Sequence, residues 1–270
     1  MLGFDVKFVT AGRRAPVGAA CGSAPSSFAR SRTVARGYHK HPGCDMPARR
    51  KRVGVHVMCA YCGTAPGVTR DHVIAKCLFT QPLPPNLITV PCCRDCNLAK
   101  AIDDEFLRDY LVVDFAGNDN PTANELFQRK MRKAVGRNSS EVGRAALTKA
   151  RVEGIYTKHG IFMGEYVQAP LDSRRFDIVF QRIIRALYLH YTNGDRIPSD
   201  YPIEVLRIMP WDAERVWGDF QAFNLNRCGP FGDVFFGACA RVEEDVRSTM
   251  WLLTFYQRVH FHVKALGYVP

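Results

Sequence analysis

Residues 59 to 100 read CAYCGTAPGVTRDHVIAKCLFTQPLPPNLITVPCCRDCNLAK, and the placement of their cysteines decides how the chain is organised. Two C-x2-C pairs can be drawn, Cys59 with Cys62 and Cys93 with Cys96. A tetrahedral zinc ion takes four thiolates, and a two-residue gap lets each pair wrap one edge of the ion through a tight turn. Gly63 suits the turn that closes the first knuckle. Cys59, Cys62, Cys93 and Cys96 are therefore expected to hold a structural Zn²⁺, with Cys92 spare unless Cys93 points away. The 30 residues between Cys62 and Cys93 exceed the roughly 15 to 20 of a compact zinc ribbon. Something with a purpose of its own is inserted between the knuckles.

Within the insert, Val73 and Ile74 after Asp71-His72, and Leu87, Ile88 and Val90 before Pro91, predict two short strands around a proline-rich loop. The following CNLAKAIDDEFLRDYLVV predicts a helix with Leu98, Ile102, Phe106 and Tyr110 facing inward and Asp103 and Asp104 outward. Lys100 reads either as a phosphate contact or as an exposed helix lysine, and Arg70 beside Asp71 has the same status. Cys77 reads as a small loop or core residue.

This layout resembles the HNH nuclease family, whose ββα-metal motif carries a four-cysteine zinc in many members. The likeness covers Cys59 to about Tyr110: CAYCG, then Asp71-His72, Asn86-Leu87, CRDCN at 93 to 97, and Lys100. It implies an H-N-N variant in which His72 activates water, Asn86 holds the histidine ring, and Asp71 with Asn97 binds a catalytic Mg²⁺ or Mn²⁺. The chemistry stands on its own as well. Phosphodiester hydrolysis needs a base and a cation that absorbs charge on the phosphate; an imidazole with an ordinary pKa near 6.5 suits the base, and carboxylate and amide oxygens are hard ligands. Adjacent strand residues point to opposite sides, so Asp71 and His72 share one site only if the strand bends there.

The chain has 270 residues and a formal charge of +11, but the excess is uneven. Residues 1 to 58 hold 11 Lys/Arg against Asp5 and Asp45, a balance of +9; residues 59 to 270 hold 26 against 24, a balance of +2. Residues 1 to 54 read as a basic, unstructured leader. Met46 would serve as a start, and an over-extended first 45 residues is favoured over the organelle transit peptide that the leader also resembles. Six of the ten cysteines crowd between 59 and 96 without a secretory h-region before them, which points to metal rather than disulfides. The longest nearly unbroken apolar run, MWLLTFY at 250 to 256, is far short of the ~20 residues of a membrane span. A soluble cytoplasmic protein with access to DNA is expected.

The turn-rich DFAGNDNPTAN at 114 to 124 marks a boundary, giving an expected α+β plan: a zinc-stapled ββα-metal (HNH) domain at 55–115 and an α+β domain of unassigned fold at 121–270. In the latter, a basic helix is expected at about 123 to 135, a core helix at 173 to 192 stopped by Asn193-Gly194, a shorter one at 210 to 222, and strands at about 154 to 166, 232 to 241 and 249 to 263. His260 and His262 fall on one side of the last strand without a third ligand nearby and read as packing or surface residues. Two other classes compete with the nuclease: a zinc-stapled nucleic-acid-binding or scaffolding protein without turnover, suggested by the near-neutral charge of residues 59 to 270, and thiol redox through CAYC, which one zinc using both pairs would exclude.

Overall fold

A computed structural model describes residues 6–9, 57–114, 120–137, 139–157, 159–169, 171–209 and 211–267. Strand β2 (Thr69–His72) pairs antiparallel with β3 (Thr89–Cys92), Thr69 opposite Cys92 and His72 opposite Thr89. Helix α1 (Arg94–Val113) follows at once. Cys93 caps it: its backbone is extended and its sulfur accepts from the Cys96 N–H, which satisfies a donor the helix itself cannot. The second knuckle is therefore also the first turn of α1.

The inner face of α1 differs from its expected periodicity. Phe106 and Tyr110 are buried, but Leu98 and Ile102 are 74% and 69% exposed. Asn97, Lys100 and Asp104 take the inner positions instead, and Asp103 is engaged by Arg175 and Arg182 rather than facing solvent. From Phe106 to Val112 every residue is buried, including the Arg108–Asp109 ion pair at 2.7 Å, to which Ser140 adds a hydrogen bond. The first half of α1 thus packs by polar pairing and the second by apolar burial.

Helix α2 (Pro121–Leu126) continues through a wider π-type turn at Phe127–Met131 into α3 (Arg132–Gly136). Leu126 and Met131 are buried, while Arg129, Lys130, Arg132 and Lys133 are exposed, as the basic-helix expectation has it. Helix α4 (Glu141–Thr148), capped by Ser140, was not expected. Where one strand was expected at 154 to 166, β4 (Arg151–Tyr156) and β5 (Phe162–Ala169) form a hairpin. Strand β1 (Val6–Val9) pairs with the other edge of β5, so these four leader residues are structured; the rest of the leader lies outside the described residues.

Helix α5 (Ser173–Tyr191) starts at the Asp172 cap and stops at Asn193 (φ 56°) and Gly194 (φ 114°), a left-handed exit in which the Gly194 N–H donates to the Leu189 carbonyl. It packs on one face of a five-stranded antiparallel sheet of order β6-β10-β9-β8-β7, where β6 is Ile203–Ile208, β7 Asn226–Phe231, β8 Phe235–Arg241, β9 Thr249–Phe255 and β10 Val259–Ala265. The rings of Phe180 and Phe261 lie 4.4 Å apart across that interface, and Tyr110 and Phe176 meet edge-on at 4.6 Å between α1 and α5. Helix α6 (Ala213–Phe220) covers the opposite face with Phe220 beside Ile208, Ala238, Ala240 and Leu252. His262 packs on Phe220, and His260 bonds Thr254 at 2.9 Å, so both are packing residues.

One hydrophobic cluster runs from Ala60 and Val73 beside the cysteines through Tyr110 and Phe180 to Phe261 and Ala265. It is continuous across the segment at which the sequence reading divides the chain. A second link is polar: Asp114 at the end of α1 is 0% exposed and pairs with Arg207 of β6 at 2.9 Å. A third comes from the three-residue β9–β10 turn, where Tyr256 (φ 47°) and Gln257 (φ 65°) are both left-handed, a conformation that side chains other than Asn, Asp and Gly rarely take. The turn directs the buried Tyr256 hydroxyl onto the Leu78 carbonyl at 2.9 Å, in the single-turn helix Lys76–Leu78 that follows β2.

Candidate metal centre

The sulfurs of Cys59, Cys62, Cys93 and Cys96 lie within 4.8 Å of one another. A tetrahedral thiolate site with metal–sulfur bonds near 2.3 Å requires sulfur–sulfur separations of about 3.8 Å, so a small contraction suits a metal such as zinc. Backbone bonds shape the first knuckle: Gly63 N–H to the Cys59 carbonyl at 3.0 Å, and Cys59 N–H to the Ala65 carbonyl at 2.8 Å. Gly63 takes φ +70°, a left-handed turn that a Cβ would strain. Arg196 braces the same loop from the other half of the chain, donating to the carbonyls of Ala60 and Met58.

The sulfurs of the cluster ionise unequally. Cys62 is drawn down to about 6, first by the Thr64 hydroxyl and then by backbone N–H groups of Ala65 and Thr64. Cys96 is pushed up by burial and by the sulfurs of Cys93, Cys59 and Cys62. Four adjacent thiolates repel one another, and a dication relieves that repulsion. Cys92 lies outside the cluster: its thiol donates to the Cys93 carbonyl, and burial and the charge on Cys59 push it up to about 12. Among the described residues no other group of three His, Cys, Asp or Glu side chains converges.

Beside the cluster, β2 and α1 face each other through two rungs. Asn97 Nδ2 donates to Thr69 Oγ1 at 3.3 Å; one turn later, Lys100 Nζ lies 3.3 Å from Asp71 Oδ2. Lys100 is not the exposed helix lysine of the sequence reading. It is 3% exposed and also donates to Asp104 Oδ2 at 2.8 Å and to the His72 carbonyl at 3.1 Å. Tyr61, from inside the first knuckle, donates its hydroxyl to the same Asp71 oxygen at 2.5 Å. Burial and the Asp71 charge raise the phenol's pKa, so it stays a donor. Burial lifts Asp104 to about 6 in spite of Lys100.

His72 closes β2, and the chain bends at Val73 and Ile74 directly after it. Burial, together with Lys76, Lys100 and Arg70 against the single carboxylate of Asp71, holds the imidazole below its usual range, so it is neutral at pH 7. Asn86 is not its partner here. The expected bond to the His72 ring is replaced by one from Asn86 Nδ2 to the Pro230 carbonyl at 3.2 Å, because the proline-rich loop leans on the β7–β8 turn. Arg70 is exposed and bonds Thr89 across the strand pair.

The structure thus gathers the four cysteines, and it brings Asp71, Asn97 and the backbone of His72 to one strand–helix junction, while Asn86 stands apart. Sequence reasoning missed Tyr61, Asp104 and Arg196. The i,i+4 spacing of Lys100 and Asp104 was the available signal for the buried pair. Compared with known protein families, curated proteins and solved structures, the chain finds no match in any of the three.

Proposed function

We propose that the protein is a metal-dependent endonuclease of the HNH type, cleaving phosphodiester bonds in DNA. The observation that carries the reading is the strand–helix junction at which Asp71 and the His72 carbonyl on β2 face Lys100 of α1 and Asn97 bonds Thr69, with the first turn of α1 tied to the cysteine cluster. Its donor set fits a hard divalent cation. Asp71 Oδ1 and Asn97 Oδ1 carry no hydrogen bond from any described residue, and one carboxylate and one amide oxygen leave several positions for water and phosphate. A bound Mg²⁺ or Mn²⁺ would supply charge stabilisation for the phosphate and the departing 3′ oxygen.

The residues of the chain divide the remaining work. Neutral His72 accepts a proton from the attacking water as its oxygen bonds to phosphorus and the P–O3′ bond breaks, leaving 5′-phosphate and 3′-hydroxyl ends by analogy with the family. Asp71 is held in place by Tyr61 and Lys100. The exposed cations Arg129, Lys130, Arg132 and Lys133 offer sequence-independent phosphate contacts. A panel of divalent ions and of supercoiled, linear and single-stranded DNA and RNA tests the reading on the full chain. Mg²⁺- or Mn²⁺-dependent cleavage that disappears in His72→Ala at unchanged zinc content supports it.

A second reading, a zinc-stapled binding or scaffolding protein without turnover, draws on one observation. Lys100 already partly neutralises Asp71. Full-affinity nucleic-acid binding without cleavage in every ion tested would favour it.

A further inference from the structure

We propose that Lys100 is an internal counter-ion that sets the divalent-cation affinity of the Asp71–Asn97 junction by competing for Asp71. The inference rests on the nuclease reading above and concerns how its metal site is regulated. A lysine that is 3% exposed needs partners for its N–H groups. Here they face Asp104 Oδ2 at 2.8 Å, the His72 carbonyl at 3.1 Å and Asp71 Oδ2 at 3.3 Å. The longest of the three is the one to Asp71, whose Oδ2 the Tyr61 hydroxyl also engages at 2.5 Å. Two carboxylates share one ammonium, so the cluster carries a net charge of about −1, enough to attract a dication but less than the two carboxylates alone would offer.

The geometry gives the ammonium two positions. Asp104 lies four residues on along α1, on the same face as Lys100, so the lysine can turn wholly to Asp104 and release Asp71 while remaining paired. Asn97, one turn back, reaches Thr69, two residues before Asp71 on the same face of β2. A cation spanning Asp71 and Asn97 would thus sit beside Lys100, and like-charge repulsion across a few ångströms couples the two. Lys100 keeps Asp71 ordered before the ion arrives and weakens the ion's hold afterwards.

The test is Mn²⁺ binding to the full-length, zinc-loaded protein, read from the free-Mn²⁺ signal in electron paramagnetic resonance, with zinc content and circular dichroism recorded for each variant. Lys100→Met keeps most of the side-chain volume and removes the charge; it should bind Mn²⁺ at least about tenfold more tightly than wild type, while Lys100→Arg stays within about threefold. Asp104→Asn moves the other way. It strips the lysine of its alternative partner, and Mn²⁺ binding should weaken at least about threefold. It also keeps the proposal testable if Lys100→Met does not fold. Adding Asp71→Asn should abolish the gain. Equal affinities in wild type, Lys100→Met and Asp104→Asn, all lost with Asp71→Asn, overturn the role of Lys100 and leave the metal site standing. The absence of any Asp71-dependent Mn²⁺ binding in folded, zinc-loaded protein overturns both.

Discussion

Replacing Tyr256 with Phe removes one oxygen and tests whether the C-terminal sheet braces the loop of the candidate site. Tyr256 is 1% exposed and Leu78 is 0% exposed, so the hydroxyl that bonds the Leu78 carbonyl at 2.9 Å has no ready substitute in water. The ring still fills its place, so no large cavity opens. What is lost is the hydrogen bond, together with satisfaction of a buried carbonyl, a penalty of about 1 to 3 kcal/mol. With a urea slope of about 3 kcal/mol/M, a loss of about 2 kcal/mol lowers the unfolding midpoint by about 0.7 M. Urea denaturation followed by tryptophan fluorescence measures this, with the slope expected unchanged. Hydrogen exchange should rise at the Leu78 and Phe79 amides, which close the turn through the Ala75 and Lys76 carbonyls. Metal content should not move, since the cysteines lie elsewhere. A midpoint shift below about 0.1 M, or exchange that rises evenly across the sheet, would refute the idea that this turn supports the site.

Two further outcomes follow from the structure. Cys93→Ser should lose the bound metal and the order of the first turn of α1, whereas Cys92→Ser should retain one metal ion per chain; elemental analysis of both separates the cluster ligand from its neighbour. His260 is pushed down to about 4, by burial first and then by Arg207. Its folded pKa lies below the unfolded value, so its neutral form belongs to the fold, and stability on its account is full above about pH 6.5 and is lost as pH falls towards 4, by about 3 kcal/mol over that window. Unfolding curves at pH 4.5, 5.5 and 7 should show that slope in wild type and a shallower one in His260→Gln.

How much of this was legible in the sequence depends on which physical signal each element carries. The cysteine spacing, the strand–loop–strand–helix order and the long core helix were legible, because C-x2-C knuckles, β-branched runs and a sustained apolar stripe are local signals. The first half of α1 was not. Its periodicity of Leu98, Ile102, Phe106 and Tyr110 looks like a single apolar face, yet the partner surface at that end is β2 with its carboxylate and α5 with Arg175 and Arg182, so polar residues turn inward. Lys100 was only half legible: its i,i+4 spacing to Asp104 marks a pair, but its burial also needs Asp71, which comes from 29 residues earlier in the chain. The β9–β10 hairpin read as a single strand because Tyr256 and Gln257 take its left-handed turn positions, where Gly, Asn or Asp would have signalled a turn. Asn86 was placed by family order alone, and its observed partner, Pro230, is 144 residues away.

The most direct test of the central claim is the cleavage of supercoiled plasmid by the full, zinc-loaded chain in Mg²⁺ or Mn²⁺, wild type against His72→Ala. Loss of a general base costs about 100- to 10,000-fold, so the wild type should nick the plasmid and the variant should do so at least about a hundredfold more slowly, with metal content and fold unchanged. Equal rates in the two proteins, or no cleavage by folded wild type in either ion, would contradict it.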